Sequence, residues 1–423
     1  MNKIFNSIPL PTRAPDGEYD CGRGSYMLLW GDSSPDEFER LCGDITASGF
    51  KLFDRTDIEG SIHCTFAGRP VLHAWYCPCE RALRLTADPY TALYNTAPER
   101  CERKYSNTLW QFEVDHSLID CGMCYIVRCC DGSFFVIDSA HMYSVNDDIR
   151  IIEFLRKLNG GEKPTVAGWF FSHGHEDHVA KFSDIVEFRS GEVDIETVYY
   201  NFPSYGHPDN EEWGECGKQV MHRFERKLDE HPEIKKVRLH TGQRFFVRDL
   251  EFSVLCTHED IYPNPLSNFN DSSTAIMMTA GGCKVLFPGD CAAESDKVFL
   301  RRYHDALKCS VVQVSHHGHS GTSSEFYRRA GAECVLFPIT EIKFAEEWDK
   351  QEPNRVAVDI AKEYHIASNG TVEIPLPYSF GGTKRLPDET FEDFDGIFAL
   401  WCYEYTDEYK EKLRREFLER SKG

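Results

Sequence analysis

The stretch Trp169-Phe-Phe-Ser-His-Gly-His-Glu-Asp-His178 holds three histidines and two carboxylates within six residues. It overlaps the apolar run from Val166 to Phe171, which is typical of a buried strand. Imidazole and carboxylate groups suit zinc, manganese or iron, and four ligands this close can serve two ions rather than one. The four potential ligands just past the predicted strand are His173, His175, Asp177 and His178.

Two later strands are also followed by residues that bind metals. Asp290 comes after a predicted strand from Lys284 to Phe287 and a Pro-Gly turn. His316 and His317 follow a predicted strand that runs from Ser310 to Val314. Proteins of the α/β class place ligands at the carboxyl ends of their strands. Three such strand ends in one chain therefore predict a single metal site.

The length of 423 residues predicts two or three domains, or one large domain with an appendage. Residues 1–108 show the pattern of a small α+β domain and contain no ligand cluster. Residues 109–380 carry all the candidate ligands and are predicted to form the catalytic domain. Residues 381–423 are predicted to be a helical extension, with a charged helix over residues 406–420.

Charge and cysteine content restrict the partners and the compartment. The formal charge is 47 − 69 = −22, and such an acidic surface repels long nucleic acids, so a small-molecule substrate is favoured. No apolar run approaches the roughly 20 residues of a membrane span, so no membrane contact is expected. The 17 cysteines, an odd number, fit reduced thiols and a cytoplasmic location. The oligomeric state has no signal in the sequence.

Three motifs, in this order, resemble the metallo-β-lactamase superfamily. The run His173-Gly-His-Glu-Asp-His178 matches the H-x-H-x-D-H signature, Gly289-Asp290 matches the later bridging aspartate, and a late strand-end histidine is also present. The resemblance covers about residues 109–378. It implies a four-layer αββα sandwich with two divalent transition-metal ions (zinc, manganese or iron) at one edge of its sheets.

A narrower resemblance is carried by three short segments. They are similar to a hydrolase branch that includes the ComEC-type domain of DNA-uptake proteins and the bacterial phosphorylcholine esterases. The segments are Asn270-Asp-Ser-Ser273, Leu286-Phe-Pro-Gly-Asp290 and Val314-Ser-His-His-Gly318.

The resemblance also implies a set of ligands. One metal would take His173 and His175, the other would take Asp177, His178 and His317, and Asp290 would bridge them. The family's third histidine of the first metal is absent from its usual place, where this chain reads Asn268-Phe-Asn-Asp271. Either Asn270 or Asp271 substitutes for it, or a distant histidine reaches in, or the first metal is weakly held.

Two neighbouring ions would generate a bridging hydroxide as nucleophile near neutral pH. Asp177 is then a catalytic residue, because it would be both a ligand and the group that orients this hydroxide. His316 is expected to touch the substrate or protonate the leaving group, or else to support a ligand. His141 would line the cleft and bind substrate, or lie in a surface loop. Asp138 would be structural, or would hold a ligand histidine.

The resemblance favours a metal-dependent hydrolase of a phosphodiester or of a small phosphorylated substrate. Two alternatives from other classes stay open. One is a hydrolase of a C–N, ester or thioester bond, since a two-metal site serves these bonds as well. The other is a non-catalytic metal-binding sensor, in which residues 1–108 would form the working surface.

Overall fold

The computed structural model describes residues 2–144, 146–207, 214–266 and 268–388. The helix predicted over residues 406–420 lies outside these ranges. The strands in chain order are β1 (Gly17–Asp20), β2 (Tyr26–Trp30), β3 (Lys51–Ile58), β4 (Ser61–Ala67), β5 (Val71–Cys77), β6 (Ala82–Asp88), β7 (Thr108–Gln111), β8 (Tyr125–Arg128), β9 (Phe134–Ile137), β10 (Thr165–Phe170), β11 (Asp194–Ile195), β12 (Thr197–Tyr200), β13 (Lys235–Arg238), β14 (Arg244–Val247), β15 (Leu250–Cys256), β16 (Ala275–Ala280), β17 (Cys283–Phe287), β18 (Val311–Gln313), β19 (Cys334–Phe337), β20 (Glu363–Ile366), β21 (Val372–Pro375) and β22 (Lys384–Arg385). The helices are α1 (Pro35–Ala47), α2 (Asp147–Leu158), α3 (Glu176–Phe188), α4 (Gly214–Asp229), α5 (Ala293–Arg302), α6 (Ser324–Ala330), α7 (Glu341–Trp348) and α8 (Glu352–Ile360).

Three sheets organise these strands. The first is antiparallel, with strand order β1-β2-β6-β5-β4-β3. The second has the order β13-β12-β10-β9-β8-β7-β21-β22, with β11 also paired to β10, and its strands β9, β10, β12 and β13 run parallel. The third has the order β14-β15-β16-β17-β18-β19-β20, and it is parallel from β17 to β20.

The second and third sheets pack face to face over one apolar core. Phe135 and Tyr199 of the second sheet meet Phe252 and Phe245 of the third, with ring centroids 4.3 Å and 4.7 Å apart. Helices α2, α3 and α4 cover the outer face of the second sheet, and helices α5, α6 and α8 cover the outer face of the third. The protein is therefore of the α/β class, and the predicted αββα sandwich is confirmed.

The N-terminal residues form a unit with a core of its own. Helix α1 buries Phe38, Leu41 and Ile45 on one face of the first sheet, because these apolar residues recur at helical spacing. Ser34 caps the helix by accepting a hydrogen bond from the backbone of Glu37. The domain boundaries at residues 108 and 380 stay a prediction.

The bounds of several predicted elements differ from those in the structure. The strand expected from Val166 to Phe171 is β10, which begins and ends one residue earlier. The sequence pattern from Asn354 to Tyr364 predicts a single helix, and this prediction is wrong, because α8 ends at Ile360 and β20 follows. The backbone N–H groups of Lys362 and Glu363 donate to the carbonyl of Glu333, which starts the parallel pairing with β19.

Membrane insertion by a helix has no support in the described ranges. None of the helices there is both long and apolar enough to cross a bilayer.

Candidate metal centre

The histidine loop connects β10 to α3. His175 is the N-cap of α3, and Asp177 and His178 lie in its first turn. The loop packs tightly, since a Cβ atom at Gly174 would lie 2.8 Å from the sulfur of Met221. The backbone N–H and the hydroxyl of Ser139, after β9, both donate to the carbonyl of His178. Close packing against Met221, as well as the spacing of the two histidines, therefore favours glycine at position 174.

The other strand ends arrive beside this loop. Asp290 follows β17 through Gly289, where a Cβ atom would lie 2.8 Å from the Cβ of Ser172. His317 follows β18 in a left-handed backbone conformation with φ of 53°. The turn that carries His317 is therefore strained, and strain of this kind is common where a side chain must point into a site.

Four buried side chains form the first half of the candidate centre. They offer ligand atoms that all lie within 4.8 Å of one another: Asp177, His178, Asp290 and His317. The Nε2 atom of His317 lies 2.8 Å from Oδ2 of Asp177 and 3.3 Å from Oδ2 of Asp290. The Nε2 atom of His178 lies 3.3 Å from the same Asp290 oxygen. Two ring nitrogens and two carboxylates thus converge on one point.

The second half is built from His173, His175 and Asn270. Nε2 of His173 lies 3.1 Å from Nδ1 of His175, which in turn lies 2.9 Å from Oδ1 of Asn270. Oδ2 of Asp290 lies 3.9 Å from Nε2 of His173, so this one carboxylate oxygen faces both halves. Of the two residues that the sequence offers for the open ligand position, Asn270 is the one that contacts His175.

Hydrogen bonds to the far side of the rings orient the two histidines of the first half. Nδ1 of His178 lies 2.7 Å from the buried carboxylate of Asp138, and Nδ1 of His317 donates to the carbonyl of Pro338 at 2.8 Å. Both rings therefore turn Nε2 toward the centre, and the two Nε2 atoms are only 3.3 Å apart. Outer partners of this kind fix the tautomer and the orientation of metal-binding histidines.

These residues fit divalent transition ions. The donor set is imidazole nitrogen, carboxylate oxygen and one amide oxygen, which suits zinc, manganese or iron. Oδ1 of Asp290 is buried and has no hydrogen-bond partner, an unsatisfied state that a bound cation would relieve.

The electrostatics of the candidate centre follow from the same contacts. Burial by itself would lower the pKa of His178 and His317, yet the carboxylates of Asp177 and Asp290 raise the first well above its usual range and the second to about 10. Burial would raise the pKa of both aspartates, yet the two rings hold it well below the usual range. Metal binding must displace the histidine protons, so it will be favoured as pH rises.

Three further candidates lie around this centre. His316 is partly exposed; its Nε2 accepts from Nδ2 of Asn270 at 3.2 Å, and its Nδ1 donates to the carbonyl of Ser320 at 3.4 Å. Asp271 instead faces the backbone N–H groups at the start of α5, including that of Glu294.

His141 is not in a surface loop, and that alternative was wrong. It is 4% exposed, and its Nδ1 accepts from the backbone N–H of Tyr143 at 2.9 Å. Burial lowers its pKa to about 4, and the nearby charge of Asp177 opposes this shift. The ring is therefore neutral at physiological pH and lies close to the candidate centre.

Sequence reasoning missed the carbonyl of Pro338, because a backbone acceptor leaves no mark in the sequence. Asp138 carried a signal, since it directly follows β9 at the same edge of the sheet as the histidine loop. Its carboxylate contacts Nδ1 of His178 and also accepts from Ser172, and the first contact supports the expectation that Asp138 holds a ligand histidine.

Comparison with solved structures finds metallo-β-lactamase-fold proteins. The protein YhfI from Bacillus subtilis, described by that fold, is 12% identical over 62% of this chain and 97% of its own, with a TM-score of 0.39. Zn²⁺-bound PqqB from Methylobacterium extorquens is 13% identical over 53% of this chain and 64% of its own, with a TM-score of 0.28. The short form of human tRNase Z is 9% identical over 56% of this chain and 94% of its own, with a TM-score of 0.32. No family model and no curated protein matches the chain.

Proposed function

We propose that this chain is a hydrolase of the metallo-β-lactamase superfamily that uses two divalent metal ions and acts on a phosphodiester or a small phosphorylated substrate. The observation that carries the proposal is the position of Asp290. One oxygen of its carboxylate lies within 3.9 Å of ring nitrogens from both halves of the centre, those of His173, His178 and His317. Such a shared carboxylate is what a two-ion site requires.

Charge supports an anionic substrate. Two divalent ions would bring four positive charges, and Asp177, Asp290 and a metal-bound hydroxide would bring three negative ones, so the centre would carry a net charge of 4 − 3 = +1. The amide of Asn270 adds no charge. A phosphate group complements this excess, whereas a neutral ester or amide does not. The chain's overall charge of −22 disfavours long polyanions, which leaves small phosphorylated molecules as the preferred class.

Bound ions would lower the pKa of a coordinated water and neutralise negative charge on the oxygens of the attacked phosphate group. The protein's own contribution is then positional. Asp177 is the one carboxylate of the cluster with measurable access, since 12% of its side chain is exposed against 2% for Asp290. It is therefore the carboxylate that can accept a hydrogen bond from a substrate-side water and orient it. Asp138 and the Pro338 carbonyl keep His178 and His317 in the ligand orientation.

His316 contacts Asn270, one of the candidate ligand residues. Its Nε2 accepts from the amide nitrogen of Asn270, which turns the amide oxygen toward His175. We infer that His316 positions Asn270 in the resting protein. A substrate phosphate that draws Asn270 or His316 toward itself would compete with this hydrogen bond.

The proposal is tested with bis-(p-nitrophenyl) phosphate and manganese or zinc. We expect turnover by the wild-type chain and a loss of at least about 100-fold in Asp177→Ala, because this removes a ligand and the group that orients the attacking water together. Glu176→Gln is the matched control, since Glu176 is its neighbour in the first turn of α3 and lies outside the cluster.

Two results would overturn the proposal. Unchanged turnover in Asp177→Ala would mean that the site is misassigned. Hydrolysis of nitrocefin or a thioester without any phosphodiester turnover would replace the substrate class by the C–N, ester or thioester alternative.

A further inference from the structure

A second cluster of metal-binding side chains lies at the opposite end of the third sheet. Strands β19 and β20 run parallel with Cys334 beside Glu363 and Leu336 beside His365. Side chains two residues apart in a strand share a face, so Glu363 and His365 project on the side of Cys334. A sulfur, a carboxylate oxygen and a ring nitrogen of these three residues all lie within 4.8 Å of one another.

This cluster is separate from the candidate centre described above. Cys334 begins β19, whereas Pro338, whose carbonyl contacts His317, directly follows its end. Four residues of extended strand span about 13 Å. The two sets of ligands therefore sit at opposite ends of the same strand and share no residue.

His365 is the member that points to a ligand. The residue is only 8% exposed, and neither of its ring nitrogens has a hydrogen-bond partner. Buried polar atoms are satisfied in the great majority of cases, so a histidine with two unsatisfied nitrogens indicates a missing partner. Burial lowers its pKa, which leaves the neutral imidazole, the form that binds metal ions.

Two hydrogen bonds fix the carboxylate of Glu363 beside His365. Its Oε1 accepts from the hydroxyl of Tyr378 at 2.9 Å, and its Oε2 accepts from the hydroxyl of Thr383 at 3.0 Å. Oε2 lies 3.7 Å from Nε2 of His365. Bonds of about 2.0–2.2 Å to one tetrahedral zinc ion set a nitrogen–oxygen separation of about 3.3–3.5 Å, so the observed spacing needs only a small side-chain adjustment.

Cys334 adds the thiol that selects the type of metal. It is fully buried, and burial together with Glu363 and Cys283 raises the pKa of its thiol. The sulfur of Cys283 accepts from the backbone N–H of Tyr378 at 3.4 Å, and it lies outside the set of mutual ligand distances. A buried free cysteine is often only a small core residue, but that reading leaves His365 unexplained.

We propose that Cys334, Glu363 and His365 form a second metal site, which binds zinc or another thiophilic divalent ion and ties the edge strand β20 to β19. Binding forms one metal–sulfur bond and releases the thiol proton to solvent. The combination of thiolate, imidazole and carboxylate is typical of zinc. The proposal does not depend on the hydrolase activity.

Cobalt titration of the full chain after metal removal tests this site directly. Thiolate ligands give cobalt a charge-transfer absorption in the near ultraviolet, and the candidate centre at Asp290 contains no thiolate among its ligands. We expect this absorption in the wild-type chain and its disappearance in Cys334→Ser, and ions bound at the candidate centre do not contribute to it. Cys79→Ser is the control, because Cys79 is an exposed thiol in contact with Cys77 and should leave the absorption unchanged.

A second variant with a smaller structural change tests the site if Cys334→Ser does not fold. Glu363→Gln preserves shape at a partly exposed position, and we expect it to weaken cobalt binding at the thiolate site at least about 10-fold. The proposal is overturned by a wild-type chain without the absorption, by an absorption that survives Cys334→Ser, or by unchanged affinity in Glu363→Gln.

Discussion

Asn270 and Asp271 show why the sequence could not identify which residue replaces the third histidine of the first metal. Both offer an oxygen ligand, and they are adjacent. The short 3₁₀ helix Asn270–Ser272 turns them in different directions, so that Asn270 meets His175 and Asp271 faces the start of α5. The geometry of this one helical turn, which the sequence does not reveal, determines which of the two side chains points toward His175.

An amide oxygen is a weaker ligand for transition metals than an imidazole nitrogen. We therefore expect Asn270→His to tighten the more weakly bound of the two ions at least about 10-fold, and Asn270→Ala to weaken it by a similar factor. Competition with a chromophoric chelator measures both. Asp271→Asn should bind both ions like the wild-type chain, and an Asn270→Ala variant that also does so would exclude Asn270 as a ligand.

Strands at the candidate centre were the elements that the sequence predicted best. The apolar run before the histidine loop is β10 within one residue at each end, because a fully buried parallel strand needs a continuous apolar sequence. The ligand residues after β10, β17 and β18 are brought together because the carboxyl ends of these strands meet at one edge of the sandwich.

Element boundaries were predicted less well where tertiary pairing competes with local preference. Residues 361–364 continue a helical pattern from α8, yet they leave the helix and pair with β19. Glu333 and the partner strand β19 lie more than twenty residues earlier in the sequence. Local propensity therefore did not reveal the hydrogen bonds to them. The Cys334 cluster was missed for the same reason, since it requires β20 to be a strand.

At the scale of the whole molecule, buried charges join the N-terminal unit to the sandwich. Arg84 and Arg302 come from the two parts, and both bind the buried carboxylate of Asp260, at 2.5 Å and 2.7 Å. His240 lies between Glu259, at 2.8 Å, and Asp88 of the first sheet, at 3.6 Å. Two of these pairs, Arg84 with Asp260 and His240 with Asp88, join residues more than 150 positions apart. No local pattern in the sequence predicts them.

His240 gives this interface a pH dependence. Burial would lower its pKa, but Glu259 and Asp88 raise it to about 9, while the stacked His73 ring, 3.9 Å away, stays neutral because burial keeps its pKa low. A raised pKa means that the stabilisation is complete below about pH 6.5 and is lost as pH rises through about 9. The free-energy difference between wild type and His240→Gln should therefore shrink by about 1–3 kcal/mol from pH 6.5 to pH 10.

Urea denaturation at the two pH values measures this difference. Using the variant as reference removes the contribution of other groups that titrate in the same range. An equal difference at pH 6.5 and pH 10 would mean that His240 is not held protonated at the interface.

The central claim, a two-ion centre shared by both halves of the site, is tested most directly by elemental analysis of protein purified without chelator. The comparison is between the wild-type chain and the double variant His173→Ala/His178→Ala, which removes one ring from each half. We predict that the wild-type chain holds two more divalent transition ions per chain than the variant, a difference that is unaffected by any ion at Cys334. Equal metal content in the two proteins would contradict the account.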